Sequence, residues 1–209
     1  MKTSLFLLRH GATRLNLEVP YRLQGSEHDE PLDAIGQAQA VGARDLLRSV
    51  PLAAFYSSPL RRAIQTAEIV AMPHALPVVP LADLREGSVG TWSNRTWDEI
   101  KASERQAYDL FMQNPGVHGY AGGENFNQVL ERVRPVFHQL LKKHEGQAIA
   151  VMGHQIVNRV MIADLLGLDM AHARRLKFAN AGVSLISLEN NQLILVSLNI
   201  SWPAMVMPG

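Results

Sequence analysis

The sequence predicts an α/β fold: a three-layer sandwich with a mostly parallel central sheet and helices on both faces. A loop-and-helix insertion lies over the carboxyl-end edge of that sheet. Three observations predict it. Strand-like runs at 4–8, 53–57 and 148–152 alternate with segments of helical apolar spacing, as in units whose parallel strands are joined by crossover helices. The run Ala148–Met152 holds no polar residue, which suits a central strand covered on both faces. Residues 83–123 break the alternation, being rich in Gly and polar turn residues, with two of the three Trp and no long apolar period.

The elements follow in order. Ser4–Leu8 reads as the first strand. Asp33 to about Ser49 has helical spacing through Ile35, Ala38, Val41, Leu46 and Leu47, and ends before Pro51. Ala53–Ser57 is the second strand. Pro59, well tolerated in a first turn, starts a helix through about Ala71, which Pro73 ends. Leu76–Val79 is a short strand between prolines, placed near an edge. Short helices are expected at about 96–112. Glu124 to about Lys143 forms a long amphipathic helix with Val129, Val133, Phe137, Leu140 and Leu141 on one side. Pro135 falls inside it and is expected to kink or split it. A fourth strand at 148–152, a helix over Ile156–Leu166 and two strands, Gly182–Leu188 and Leu193–Leu198, around a Glu189–Gln192 turn complete the pattern. The apolar tail from Trp202 to Gly209 is expected either to cover the site, to pack on the core or to form a homodimer contact. All of 1–209 is expected to form one domain, with 83–123 as a lid-like insertion.

Composition narrows the function. Hydrophobic residues make up 47% and charged residues 19%, ordinary for a soluble globular chain. A net charge of +1 leaves no electrostatic footprint for duplex nucleic acid, though a small cationic pocket is compatible with it. Cysteine is absent, which excludes disulfides, thiolate metal sites and a cysteine nucleophile. No apolar run is long enough for a secretion signal or a membrane span, so a cytoplasmic protein with a small-molecule partner is expected.

Strand ends in such sheets deliver ligand-binding residues to one edge. Arg9-His10-Gly11 follows the first strand, Ser57-Ser58-Pro59 with Arg61 follows the second, and Gly153-His154 follows the fourth. An imidazole beside guanidinium groups suits attack on phosphorus, with planar forks holding the phosphoryl oxygens. His10 is the expected nucleophile, Arg9 and Arg61 the phosphate clamps. His154, protonated, would neutralise the transferring group. Arg62 is expected to face elsewhere on its helix, in a structural or solvated role. A carboxylic acid must protonate the leaving oxygen. Glu86, Asp83, Asp98 and Glu99 are the candidates, and composition does not choose among them. The six other histidines show no paired ligand spacing, so neither metal nor cofactor is expected.

In chain order, a series of motifs resembles the histidine phosphatase superfamily, also called phosphoglycerate mutase-like. They are Arg9-His10-Gly11-x-Thr13-x-x-Asn16, Arg22-Leu23-Gln24-Gly25, Tyr56-Ser57-Ser58-Pro59-Leu60-Arg61-Arg62-Ala63, Leu84-x-Glu86, Gly122-Gly123-Glu124, Val151-x-Gly153-His154 and Asn180-Ala181. The resemblance implies a phosphohistidine at His10, a pocket of Arg9, Arg61 and His154, and acid–base work by Glu86. It also implies substrate contacts from Asn16, Gln24 and Gly25, with Gln155 placed beside them. Three departures bear on substrate: a long Ser26–Glu30 stretch before Pro31, Ser93-Asn94 after Trp92, and Gly153 and Gln155 flanking His154. Trp92, Arg95, Trp97, Tyr120 and Asn125 are candidate lid or selectivity residues.

The expected activity is metal-independent hydrolysis of a phosphomonoester. The alternative is a phosphoglycerate mutase dependent on 2,3-bisphosphoglycerate. The family's mutases carry extra basic residues in a longer middle segment, where this chain offers only Lys101 and Arg105, with Arg95 just before. A non-catalytic binding module would have lost a His, Arg or Glu of the core, and none is lost.

Overall fold

A computed structural model describes residues 2–201. The expectations for the tail at 202–209 lie outside the described residues. Six strands form one sheet: β1 (Lys2–Arg9), β2 (Leu52–Ser57), β3 (Val78–Pro80), β4 (Ala148–Gly153), β5 (Val183–Glu189) and β6 (Gln192–Ile200). Their order is β3-β2-β4-β1-β5-β6. The first four run parallel, whereas β5 lies antiparallel to β1 and β6 antiparallel to β5. The all-apolar β4 is thus central and proline-bounded β3 is at an edge, as expected.

The two-residue period of β1 divides the core. Leu5 and Leu7 pack with Ile149 and Val151 beneath α6 (Phe126–Lys143) and α7 (Gln155–Leu165). Leu8 packs with Ala150, Met152 and Phe55 beneath α2 (Ala34–Leu47) and α3 (Arg61–Ala71). Helices therefore cover both faces, giving the three layers. A one-turn helix, α1 (Arg14–Leu17), follows β1; its four residues are too few for apolar periodicity to reveal. Between β3 and α6 lie α4 (Trp97–Ser103), α5 (Arg105–Gln113) and short 3-10 turns.

Two helix boundaries differ from expectation, and both shift the site. The helix after β2 begins at Arg61 rather than Pro59, with Asp29 Oδ1 accepting the Arg61 N–H at 2.5 Å. The long helix begins at Phe126, because Asn125 and Gln128 cap each other's backbone N–H groups at 2.8 Å. Glu124 is thereby freed for another use. That helix runs through Pro135 without splitting. Pro135 and Glu131, whose carbonyl loses its N–H partner, both lie on the exposed face, where water supplies the missing bond. Among the described residues, no helix is long and apolar enough to cross a membrane.

Candidate active site

The loop that follows β1 is fixed from behind. Gly11 packs against the Gly36 backbone of α2, and a Cβ on either residue would collide with the other segment's main chain. The close approach that this glycine permits is therefore to α2. Thr66 Oγ1 accepts the Gly11 N–H at 3.0 Å and donates to the Arg62 carbonyl at 2.7 Å, tying the loop to α3.

His10 is buried at the end of β1. Its Nδ1 lies 2.7 Å from the Gly11 carbonyl, which only accepts, so Nδ1 carries the hydrogen and Nε2 the lone pair. Arg62 Nε donates to that Nε2 at 3.3 Å. Arg62 Nη1 and Nη2 donate to the His28 carbonyl at 2.6 Å and the Gly25 carbonyl at 2.9 Å. Arg9 Nη1 donates to the Phe178 carbonyl at 2.5 Å, leaving its buried Nε without a partner among the described residues. The His154 ring centroid is 5.1 Å from that of His10, and its Nε2 meets Ser58 Oγ at 2.7 Å. Glu86, also buried, faces the N-terminus of α7. Its Oε1 accepts from Gly87 N at 2.9 Å and from Ile156 N at 3.2 Å.

Burial, with Arg62 and Arg9 close by, pushes the His10 pKa well below its ordinary value. Burial, Arg62 and His10 do the same to His154. Both rings are therefore neutral near pH 7 in the free site. That leaves a lone pair on His10, and the protonated His154 expected at the transferring group would take up its proton only in the field of a bound anion. Burial also lowers Arg9, to about 10, which leaves it cationic at neutral pH.

These groups open on a cavity of about 410 Å³ lined by Arg9, His10, Arg62 and Glu86, with His154 fully buried behind His10. A family model described as "Histidine phosphatase superfamily (branch 1)" matches residues 5–201. The chain belongs to the histidine phosphatase superfamily. It is 31% identical to the metal-independent phosphoserine phosphatase of Arabidopsis thaliana, over 93% of this chain and 80% of that one. It is 30% identical to the "probable phosphoglycerate mutase GpmB" of Salmonella choleraesuis, over 90% of this chain and 86% of that one. Among solved structures it resembles Bacillus stearothermophilus YhfR, with a TM-score of 0.86 and 31% identity, covering 93% of this chain and 96% of that one. The chain is a phosphatase-type enzyme of this superfamily.

In this histidine phosphatase the second guanidinium at His10 is Arg62, not Arg61. Arg61 is exposed at the first position of α3, and its side chain does not line the cavity. The helix face turned to the sheet carries Arg62, Ala63, Thr66, Ala67 and Val70. Arg62, Thr66 and Val70 stand at i, i+4 and i+8, a spacing already visible in the sequence.

Asn16, Gln24, Gly25 and Gln155 all line the cavity. Gln24 Nε2 donates to Thr13 Oγ1, and Gly25 has a φ of +60°, which favours glycine. The long Ser26–Glu30 stretch is structural: Glu27 accepts from Ser88, Val89 and Gly90, Asp29 caps α3, and the His28 carbonyl holds Arg62. Of the lid candidates, Trp97 and Tyr120 reach the cavity. Trp92 is buried among aromatic rings, Arg95 pairs with Glu104, and Asn125 caps α6.

Sequence reasoning missed Arg132, Arg159 and Lys177. Arg132 grips Glu124 through two bonds of 2.8 and 3.0 Å and donates to the carbonyls of Asp83, Arg85 and Glu86, so it holds the loop that presents Glu86. Its long-range partners leave no local signal. Arg159 stands one turn after Gln155 on α7, and both line the cavity. That i, i+4 relation was a usable signal.

Proposed function

We propose that this protein is a metal-independent phosphomonoester hydrolase that turns over a small phosphorylated metabolite through a phosphohistidine at His10. The reading is carried by the His10 Nε2 lone pair, aimed by the Nδ1–Gly11 bond and flanked by Arg62. In the first step Nε2 attacks phosphorus and the ester P–O bond breaks, while Glu86 gives its proton to the departing alkoxide. In the second, water attacks the phosphohistidine, Glu86 takes a proton from that water, and the P–N bond breaks to release phosphate. Arg9 and Arg62 hold the equatorial oxygens, where charge is carried through both steps.

Hydrolysis is favoured over mutase chemistry by what the 83–123 insertion brings to the cavity. Trp97 and Tyr120 line it, whereas Lys101 and Arg105 do not. The named activity of the phosphoserine phosphatase relative points the same way. The test is phosphate release from a panel of phosphomonoesters in EDTA, with 3-phosphoglycerate run with and without 2,3-bisphosphoglycerate. Steady hydrolysis of one or more esters, with an acid-labile, base-stable phosphoryl-enzyme absent in His10→Ala, is expected. Bisphosphate-dependent interconversion of phosphoglycerates with little free phosphate would make it a mutase instead.

A further inference from the structure

The cavity extends past the reacting groups to a second cationic wall. Arg159 lines it from α7, and Lys177 from the segment before β5. Arg159 Nε is held by the Leu176 carbonyl at 2.8 Å, and its two Nη groups have no hydrogen-bond or salt-bridge partner among the described residues. Of the other arginines of the cavity, Arg62 is spread over His10 and two carbonyls and Arg22 is paired with Glu18 and Glu99, while Arg9, anchored on Phe178 with its Nε unpartnered, adjoins His10 at the reacting end. Tyr120 faces the same space with a hydroxyl that bonds no other described group. Among the described residues Glu86 is the only carboxylate lining the cavity, and it is already bonded to Gly87 and Ile156 N–H groups.

A largely desolvated guanidinium fork fixed at one nitrogen and open at two is arranged to receive a planar two-oxygen anion. We infer that Arg159, with Tyr120 and Lys177, forms a carboxylate subsite, so that the favoured substrates are phosphomonoesters bearing a carboxylate on the leaving group. The inference rests on the phosphatase reading for the word substrate, and on the cavity alone for binding. Burial lowers the Arg159 pKa while Tyr120 and Glu86 raise it, which places all three groups within electrostatic reach of one another. A carboxylate entering here relieves an unpaired charge, whereas a hydroxymethyl group in its place leaves that charge uncompensated.

The test separates binding from turnover. In the His10→Ala protein, which forms no phosphohistidine, calorimetry compares 3-phosphoglycerate with glycerol 3-phosphate, which differ by carboxylate against hydroxymethyl. The expected result is at least tenfold tighter binding of 3-phosphoglycerate. Arg159→Gln should remove that preference while leaving the affinity for inorganic phosphate within about threefold. Lys177→Ala, a milder change outside regular structure, should reduce the preference in part and covers the case in which Arg159→Gln fails to fold. Equal affinity for the two ligands, or a preference that survives both substitutions, would overturn the subsite. Failure of the hydrolase reading shows elsewhere, as absence of turnover of any ester by the unsubstituted enzyme.

Discussion

Arg62 Nε stands 3.3 Å from His10 Nε2 and donates to the lone pair that attacks phosphorus in the proposed mechanism. In the free enzyme the guanidinium thus caps the nucleophile and keeps it unprotonated. When a phosphoryl group enters, the same N–H must turn to an oxygen of that group, so one residue orients the base and then stabilises the charge it creates. Arg62→Ala is expected to lower kcat by about a hundredfold or more, the usual cost of losing one preorganised donor. Arg61→Ala, at an exposed position, should leave kcat within about twofold. Steady-state kinetics on both variants decides which arginine serves the site.

How far this was readable depends on the range of the interactions. The strand ends carrying Arg9-His10 and Gly153-His154 were legible because β1 and β4 announce themselves by unbroken apolar runs. The choice between Arg61 and Arg62 turned on where α3 starts. Pro59 suggested a start two residues early, while the true boundary is set by Asp29, 32 positions away in the chain. Arg132 was not legible: besides Glu124, eight residues before it, its partners are backbone carbonyls 46 to 49 residues distant, which no local pattern marks. Arg159 is legible, since it stands one helical turn after Gln155 on the face of α7 that His154 leads into.

The two buried histidines tie stability to pH. Both have folded-state pKa values well below the ordinary value, with burial the largest cause. As pH falls through about 6.5 the unfolded chain takes up protons that the folded one does not, so stability drops with falling pH until the folded rings protonate. Each neutral ring contributes a slope of about 1.4 kcal/mol per pH unit in that window, or about 2.7 for the pair. Urea unfolding between pH 7 and 5 should show this slope. It should flatten in His10→Ala and with saturating inorganic phosphate, whose charge favours the protonated rings.

Among the described residues Glu86 is the only carboxyl group lining the cavity, which makes it the proposed proton donor to a leaving alkoxide. Glu86→Gln keeps the shape and removes the proton. Turnover of an alkyl phosphate should fall by about a hundredfold to ten-thousandfold, the range of general acid catalysis. Turnover of p-nitrophenyl phosphate, whose leaving group needs no proton, should fall far less. Equal losses on the two substrates would assign Glu86 a binding role instead.

Arg132 positions that acid without touching substrate. Burial opposes a charge on Glu124, yet the Arg132 fork and the Ser88 N–H hold its carboxyl below the ordinary value, so the pair is ionised at neutral pH. Arg132→Met would leave Glu124 without its counter-charge and three loop carbonyls without their donor. A stability loss of about 2–4 kcal/mol is expected by urea unfolding. A purely structural role would lower turnover of every ester alike. A positioning role predicts that the variant follows Glu86→Gln, losing several-fold more activity on an alkyl phosphate than on p-nitrophenyl phosphate, because a displaced carboxyl no longer reaches the leaving oxygen and p-nitrophenolate departs without its proton.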